Sequence, residues 1–326
     1  MSELPRFPLA ALPTPLRRAT RLEEALGAPP IWIKRDDLVG FALAGNKARK
    51  LEFLVADALG QGGNLLLTGG GPGSNHCQAT AAAARVAGLA CRLVLYGDEP
   101  AHPPANLMLA RAFGAEVTFT GDPERASVDR ALEEVAGEAR AGGRTPYVIP
   151  RGGASPLGAA GYAIAAEELA TQLGEVGVEP AAIVVANGSS GTQAGLVAGA
   201  SALGVPWRIV GASTSRPPRE SRRRVLDLAV GCSALLGSTP PAPERVEVRD
   251  ARGPGYRRLS REAEEATELA ARTEGLLLDP VFTAKAMASM IGLVREGLDG
   301  PVVFVHTGGI PALFDPAEAP SRGRRR

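Results

Sequence analysis

Seven short apolar runs, six to eight residues long, alternate with alanine-rich stretches of helical length: "NLLLTGG" (64–70), "CRLVLYG" (91–97), "AEVTFTG" (115–121), "TPYVIP" (145–150), "AAIVVANG" (181–188), "RIVGAST" (208–214) and "VVFVHTGG" (302–309). This alternation confines the chain to α/β architectures with parallel sheets, because parallel neighbours need a crossover of about a dozen residues and a helix supplies it compactly. Helices are expected over 75–87, 104–113, 125–140, 156–172, 192–203 and 283–297, and from "GNKARKLEF" (45–53) on through "LVADAL". "SRPPRESRRR" (215–224) reads as a charged loop running into a helix, and the closing "DPAEAPSRGRRR" as a polar tail. Most of the apolar runs end in glycine, serine, threonine or asparagine, and in such sheets ligands bind beyond the carboxyl ends of the strands.

With 326 residues, the chain is long enough for two domains. Its 36 basic and 35 acidic residues leave a formal net charge of +1, which gives no electrostatic reason to expect nucleic acid or a membrane surface as partner. Cys77, Cys91 and Cys232 form no C-x-x-C pair and there are three histidines, so neither a disulfide framework nor a metal site is expected. Proline interrupts the opening "MSELPRFPLAALPTPL" where a signal peptide needs a continuous apolar core, so a cytoplasmic protein is expected.

Within "GNKARKLEF", the cations Lys47, Arg49 and Lys50 stand at the start of a helix, where they oppose the macrodipole unless an anion sits beside them. A phosphate is the natural candidate. Three glycine-rich turns add to this. In "TGGGPGSNHCQAT" (68–80), Ser74 and Asn75 begin a helix, as caps and as partners for a carboxylate. The turn opens like a dinucleotide fingerprint, but His76 stands where the third glycine belongs and only Asp98 loosely offers the acid. In "ANGSSGTQAGL" (186–196), Gly188, Ser189, Ser190, Gly191 and Thr192 offer amides and hydroxyls to a phosphate; without G-K-[ST] this is not a nucleotide P-loop. In "VFVHTGGIPALF" (303–314), Thr307 ends a strand and Gly308 and Gly309 turn the chain.

Together "IKRDDL…AGNKARKLEF", "TGGGPGSNHCQATAAAA", "YVIPRGGASPLGAAGY", "NGSSGTQAGL", "LDPVFTAKAM" and "HTGGIPALF" resemble, in order and over roughly residues 12 to 314, the pyridoxal-phosphate enzymes of the D-cysteine desulfhydrase and 1-aminocyclopropane-1-carboxylate deaminase family. The resemblance implies a tryptophan-synthase-β-like α/β fold (fold type II) with pyridoxal 5'-phosphate between two domains, usually in a homodimer. Residues 1–49 and 156–326 would form the large domain, and 50–155 the small one. Lys47 would carry the cofactor as a Schiff base and serve as base, and Lys50 would lie near its phosphate, itself held by the 188–192 loop. Asn75 would bond the phenolic oxygen, and Thr307 would face the pyridine nitrogen. Ser74 and the amides of Asn75 and His76 would receive the carboxylate of a small amino-acid substrate.

A neutral hydroxyl at the ring nitrogen suits prompt loss of a β-substituent. The implied activity is therefore α,β-elimination from D-cysteine or a near relative, giving a 2-oxo acid, ammonia and sulfide. Three positions depart from the family. Thr283 stands where the deaminase branch carries glutamate, which ranks ring opening lower. Phe282 replaces a usual tyrosine, and Ala284 a common glycine. Either Tyr256 supplies the missing phenol or the leaving group needs no acid, which keeps a cysteate sulfo-lyase open. A non-catalytic cofactor-binding protein is the alternative of another class. Tyr256, Phe282 and Ile310 are the expected side-chain pocket, His76 its wall, and Cys77 packing.

Overall fold

The computed structural model describes residues 4–255 and 257–315; Tyr256 and the closing segment beyond Asp315 lie outside the described residues. Among the described residues, ten strands form two sheets. The strands are β1 (Leu16–Arg18), β2 (Ile31–Lys34), β3 (Leu65–Gly70), β4 (Ala90–Leu95), β5 (Glu116–Phe119), β6 (Pro146–Val148), β7 (Ala182–Asn187), β8 (Ile209–Ser213), β9 (Val246–Asp250) and β10 (Val302–Val305). The helices are α1 (Thr20–Leu26), α2 (Asn46–Gly60), α3 (Asn75–Val86), α4 (Ala105–Ala112), α5 (Ser127–Ala141), α6 (Pro156–Glu175), α7 (Gly191–Leu203), α8 (Pro218–Leu235), α9 (Arg261–Glu274) and α10 (Thr283–Arg295).

One sheet has six strands in the order β1-β2-β10-β7-β8-β9, and the other four in the order β5-β4-β3-β6. All pairings are parallel except β1 with β2. The seven runs expected as strands all pair, while β1, β2 and β9 were not anticipated. β2 is only four residues, and β9 ("VEVRD") carries three charges on an edge. Neither has the uninterrupted apolar stretch that marks a central strand. The charged loop does run into a helix, α8, whereas α1 and α9 were not foreseen.

Because both faces of a parallel sheet are covered, its central strands are apolar at nearly every position. In β7, Ile183 and Val185 join one buried cluster with α6, α7 and α8, while Ala182, Val184 and Ala186 join a second with α9 and α10. β10 divides its residues the same way: Val303 and Val305 to the first face, Val302 and Phe304 to the second. The four-stranded sheet has its own clusters, one under α2, α3 and α4 and one under α5. The carboxyl ends of β3, β7, β8 and β10 all open onto one cleft.

Candidate active site

The cleft encloses about 1020 Å³, part of it open to solvent. The three glycine-rich turns line it together with the start of α2, so residues far apart in the chain share one wall. Gly45 makes the closest of these approaches possible. Its φ is +54°, and a Cβ there would lie 2.3 Å from the carbonyl oxygen of Thr307. The amide of Asn46 donates to that carbonyl at 3.0 Å, and Asn46 Nδ2 donates to Thr192 Oγ1 at 2.9 Å. The first turn of α2 is thereby tied to the ends of both β10 and β7.

The three cations of that turn have separate fates. Lys47 is half-buried on the cleft wall; burial pushes its ammonium down to about 8 against the attraction of Asp279. Lys50 is fully buried, with Nζ 3.4 Å from the carbonyl of Gly152 and 3.0 Å from where a Cβ on Gly191 would stand. Desolvation first, then Lys47 and Arg224, hold its pKa well below the usual lysine value. Arg49 corrects the sequence expectation of a cationic triplet serving one anion. It is buried on the opposite side of the helix, where Nε donates to Asp36 (2.9 Å) and Nη1 to Glu168 (2.9 Å). Lys34 also donates to Glu168, and the hydroxyls of Thr14 and Tyr162 donate to Asp36. Burial alone would raise the Asp36 carboxyl; Arg49, Tyr162 and Thr14 outweigh it and hold it below the usual carboxylate range.

The turn after β3 presents Ser74 as the N-cap of α3, its Oγ accepting from the amide of Cys77 at 3.2 Å. Asn75 Oδ1 accepts from Asn106 Nδ2 at 2.8 Å, which fixes the Asn75 amide group with its NH₂ as the remaining polar end. The His76 ring turns inward to Thr68 Oγ1 at 3.1 Å. Thr68 donates onward to the carbonyl of Ile149, so it accepts a hydrogen bond from His76 Nε2–H and Nδ1 is the bare acceptor; that buried nitrogen has no partner among the described residues. Burial, Lys47 and Lys50 keep the ring neutral. Cys77 packs in the core beneath Gly70, and burial pushes its thiol up to about 12.

Opposite, α7 begins at Gly191 after Ser190, which holds a left-handed φ of +75° and donates from Oγ to Asn187 Oδ1 at 3.0 Å. The strained turn directs the first amides of a thirteen-residue helix at the cleft. Lys50 therefore faces the positive end of a helix dipole across Gly191. Two like-signed ends are favourable so close together only around an anion, and a phosphate fits that donor set.

Thr307 lines the far end of the cleft, and Phe282 packs its ring where a Cβ on Gly188 would be, 2.7 Å from Cε1. Thr283 is fully buried; its hydroxyl donates to Asp279 Oδ1 at 2.7 Å and so belongs to the cap of α10. Ile310 lies just past the wall, which ends at Gly309, and Tyr256 lies outside the described residues.

Sequence reasoning missed Asp279. It is fully buried on the wall, its oxygens accepting from the amides of Val281, Phe282 and Thr283 as well as from Thr283 Oγ1. Burial raises its pKa against those bonds. An aspartate four residues before a threonine at the head of an apolar helix was the available signal. Also missed were Arg125, Arg151 and Arg216 on the cleft wall, which come from separate parts of the chain with no common motif.

Comparison with known proteins bears directly on this arrangement. A family model described as pyridoxal-phosphate dependent enzyme matches residues 8–308. The chain is 41% identical to a D-cysteine desulfhydrase of Salmonella choleraesuis (strain SC-B67), over 96% of this chain and 97% of that protein. It is 37% identical to a putative 1-aminocyclopropane-1-carboxylate deaminase of Pyrococcus abyssi (strain GE5 / Orsay), over 96% and 94%. Among solved structures, an ACC deaminase homologue superposes with a TM-score of 0.89 at 37% identity, covering 96% of this chain and 94% of that one. A threonine deaminase from T.th., at 23% identity and a TM-score of 0.67, shares the fold over 94% of each chain.

Proposed function

Because the chain belongs to the pyridoxal-phosphate-dependent enzyme family, we propose that it is a lyase eliminating the β-substituent of a small amino acid, D-cysteine or a near relative, to give a 2-oxo acid, ammonia and sulfide. The observation that carries this reading is Lys47: a single amine on the cleft wall, tuned by burial to about 8, between two helix N-termini that suit two anions. Pyridoxal phosphate, when bound, supplies an electron-withdrawing ring that stabilises the charge left at the substrate's Cα.

The chain's own groups do the rest. The amides at the start of α7, with Lys50, hold the phosphate, and the hydroxyls of Ser189, Ser190 and Thr192 border it. Ser74 and the amides of Asn75 and His76 receive the substrate carboxylate. Neutral Lys47 anchors the cofactor and then takes the Cα proton on Nζ, and the substituent leaves Cβ with its electron pair. Asn75 presents its NH₂ to the phenolic oxygen because Asn106 occupies its carbonyl end. Thr307 gives the ring nitrogen a neutral partner. The nearby acid, Asp279, already accepts four hydrogen bonds, which supports that assignment.

One observation favours a second reading. Phe282 offers no proton to a leaving group, so a substituent that departs readily as an anion, such as sulfite from cysteate, fits beside thiol. Ring opening, as in the deaminase named among the relatives, ranks lower, since Thr283 is consumed by Asp279 and cannot act at the ring.

The two sheets support a division into 50–155 and 1–49 with 156–326. A homodimer is part of the same reading; exposed apolar residues such as Met108 and Phe314 support a second copy as partner. No helix among the described residues is long and apolar enough to cross a membrane, and the expected setting is the cytoplasm.

Release of 2-oxo acid from D-cysteine, L-cysteine, L-cysteate, D-serine and 1-aminocyclopropane-1-carboxylate by cofactor-loaded protein tests the reading. Lys47→Ala is expected to lower turnover at least about 10³-fold while leaving the protein folded. Turnover that survives the substitution, or none with any β-substituted substrate, would sink it.

A further inference from the structure

In the turn that leads into α7, the carbonyls and the amides are in opposite situations. Gly188 O accepts from Arg216 Nη1 at 2.6 Å, Ser189 O from Arg224 Nε at 3.3 Å, and Ser190 O from the amide of Ala194 at 3.0 Å. The amides of Ser189, Ser190, Gly191 and Thr192 have no acceptor among the described residues. A trans peptide points its C=O and the next N–H in opposite directions, so a guanidinium that holds a carbonyl on one side sets the following amide on the other. Arg216 therefore fixes the amide of Ser189, and Arg224 that of Ser190. Ser190 is left-handed and Gly191 opens a right-handed helix; successive N–H groups across such a change of hand form a concave nest for an anion.

Both arginines are carried on one support. At the end of β8, Ser213 Oγ donates to the carbonyl of Arg216 at 2.8 Å and accepts from Ser221 Oγ at 2.8 Å, which ties the loop and the first turn of α8 to the sheet. Ser213 is paired in register with Asn187, the last residue before the turn. Arg216 is held further by Glu220 at 3.0 Å. Arg224, on the second turn of α8, is half-buried, and its bond to Ser189 is its one hydrogen bond among the described residues. After burial and Lys47, Arg224 also contributes to the lowered pKa of Lys50, so the guanidinium stands close to the lysine assigned to the phosphate. Without these two partners either peptide is free to turn over, and a turned peptide presents a carbonyl oxygen to the anion in place of an N–H.

We propose that Arg216 and Arg224 are positioning residues for the cofactor: they hold the peptides after Gly188 and Ser189 with the carbonyls outward, so that the turn offers the phosphate amides alone. This rests on the placement of the phosphate in the lyase reading above and adds two groups, one on α8 and one in the loop before it, that act through the turn. The consequence is selectivity. The two arginines matter for a cofactor that carries a phosphate and are indifferent to one that lacks it.

Equilibrium titration of cofactor-free protein with pyridoxal 5'-phosphate and with pyridoxal, followed by absorbance, tests this. Both ligands offer the same aldehyde to Lys47, so the ratio of their affinities isolates the phosphate. Arg224→Met and Arg216→Met are each expected to weaken the phosphate-bearing ligand about tenfold or more, with less than about threefold change for pyridoxal and an unchanged denaturation midpoint. Arg224→Lys, which keeps a donor for the Ser189 carbonyl, is expected to recover most of the loss. The phosphorus magnetic resonance of the bound cofactor is expected to move toward its free position in the two methionine variants. Equal losses on both ligands, a lowered midpoint, or no loss would each overturn the proposal. So would weaker binding with an unchanged phosphorus resonance, which would assign the effect to distant charge rather than to the turn. Lys50→Ala separates this proposal from the reading beneath it. If that variant loses the preference for phosphate and the arginine variants keep it, the clamp fails and the phosphate site stands; if all three keep it, the phosphate site fails as well.

Discussion

The first turn of α2 feeds two buried polar regions that differ in one respect. On one side Arg49 enters a cluster with Thr14, Lys34, Asp36, Tyr162 and Glu168, in which each charge meets an opposite charge or a hydroxyl. On the other side Lys47 and Lys50 face helix N-termini and one another, and the buried Nδ1 of His76 has no partner among the described residues. The saturated region holds the fold, and the unsaturated one is built to bind. Burial and polarity alone do not separate them; the tally of donors against acceptors does.

The largest expected effect breaks that contrast directly. Arg49→Ala leaves Asp36 buried without its guanidinium and is expected to destabilise the protein by about 3–5 kcal/mol in denaturant unfolding. Lys50→Ala removes a cation that has no carboxylate partner among the described residues, so cofactor-free stability should not fall, while cofactor affinity drops about tenfold or more in equilibrium titration. Equal destabilisation by the two substitutions would erase the distinction. The cluster also has a pH signature. Since Asp36 and Glu168 are held below the usual carboxylate range, their contribution is present above about pH 4 and is lost as pH falls through the depressed values.

A smaller effect concerns Lys47. Burial lowers its pKa to about 8, so the neutral, reactive amine is the minor form below that pH and the major form above it. Capture of added cofactor by cofactor-free protein should accelerate close to tenfold per pH unit below about 8 and level off above it. A plateau reached only near the ordinary lysine value of about 10.4 would show that burial does not tune this amine. The smallest effect tests orientation. Asn106→Ala removes the donor that fixes Asn75, and is expected to lower kcat/KM by about three- to tenfold with stability changed by about 1 kcal/mol.

Much of this was legible in the chain itself. Apolar runs with small polar endings located the parallel strands, and the three glycine-rich turns located the cleft, because both depend on local backbone chemistry. What escaped were relations between distant residues. Nothing near "KARK" announces that Arg49 pairs with Glu168, 119 positions away, or that the cleft wall gathers arginines from separate parts of the chain. Charged side chains carry no periodicity that reports their partners, and the short, charged β9 has no apolar stripe.

Cys77 sits three residues beyond Ser74, within one helical turn of the cleft wall. Its burial raises the thiol to about 12, so at neutral pH only about one molecule in 10⁵ carries the thiolate, the form that attacks disulfides and reacts with oxidants. A cleft built for reactive chemistry thus carries a cysteine within one helical turn of its wall without offering a second nucleophile there, through packing alone.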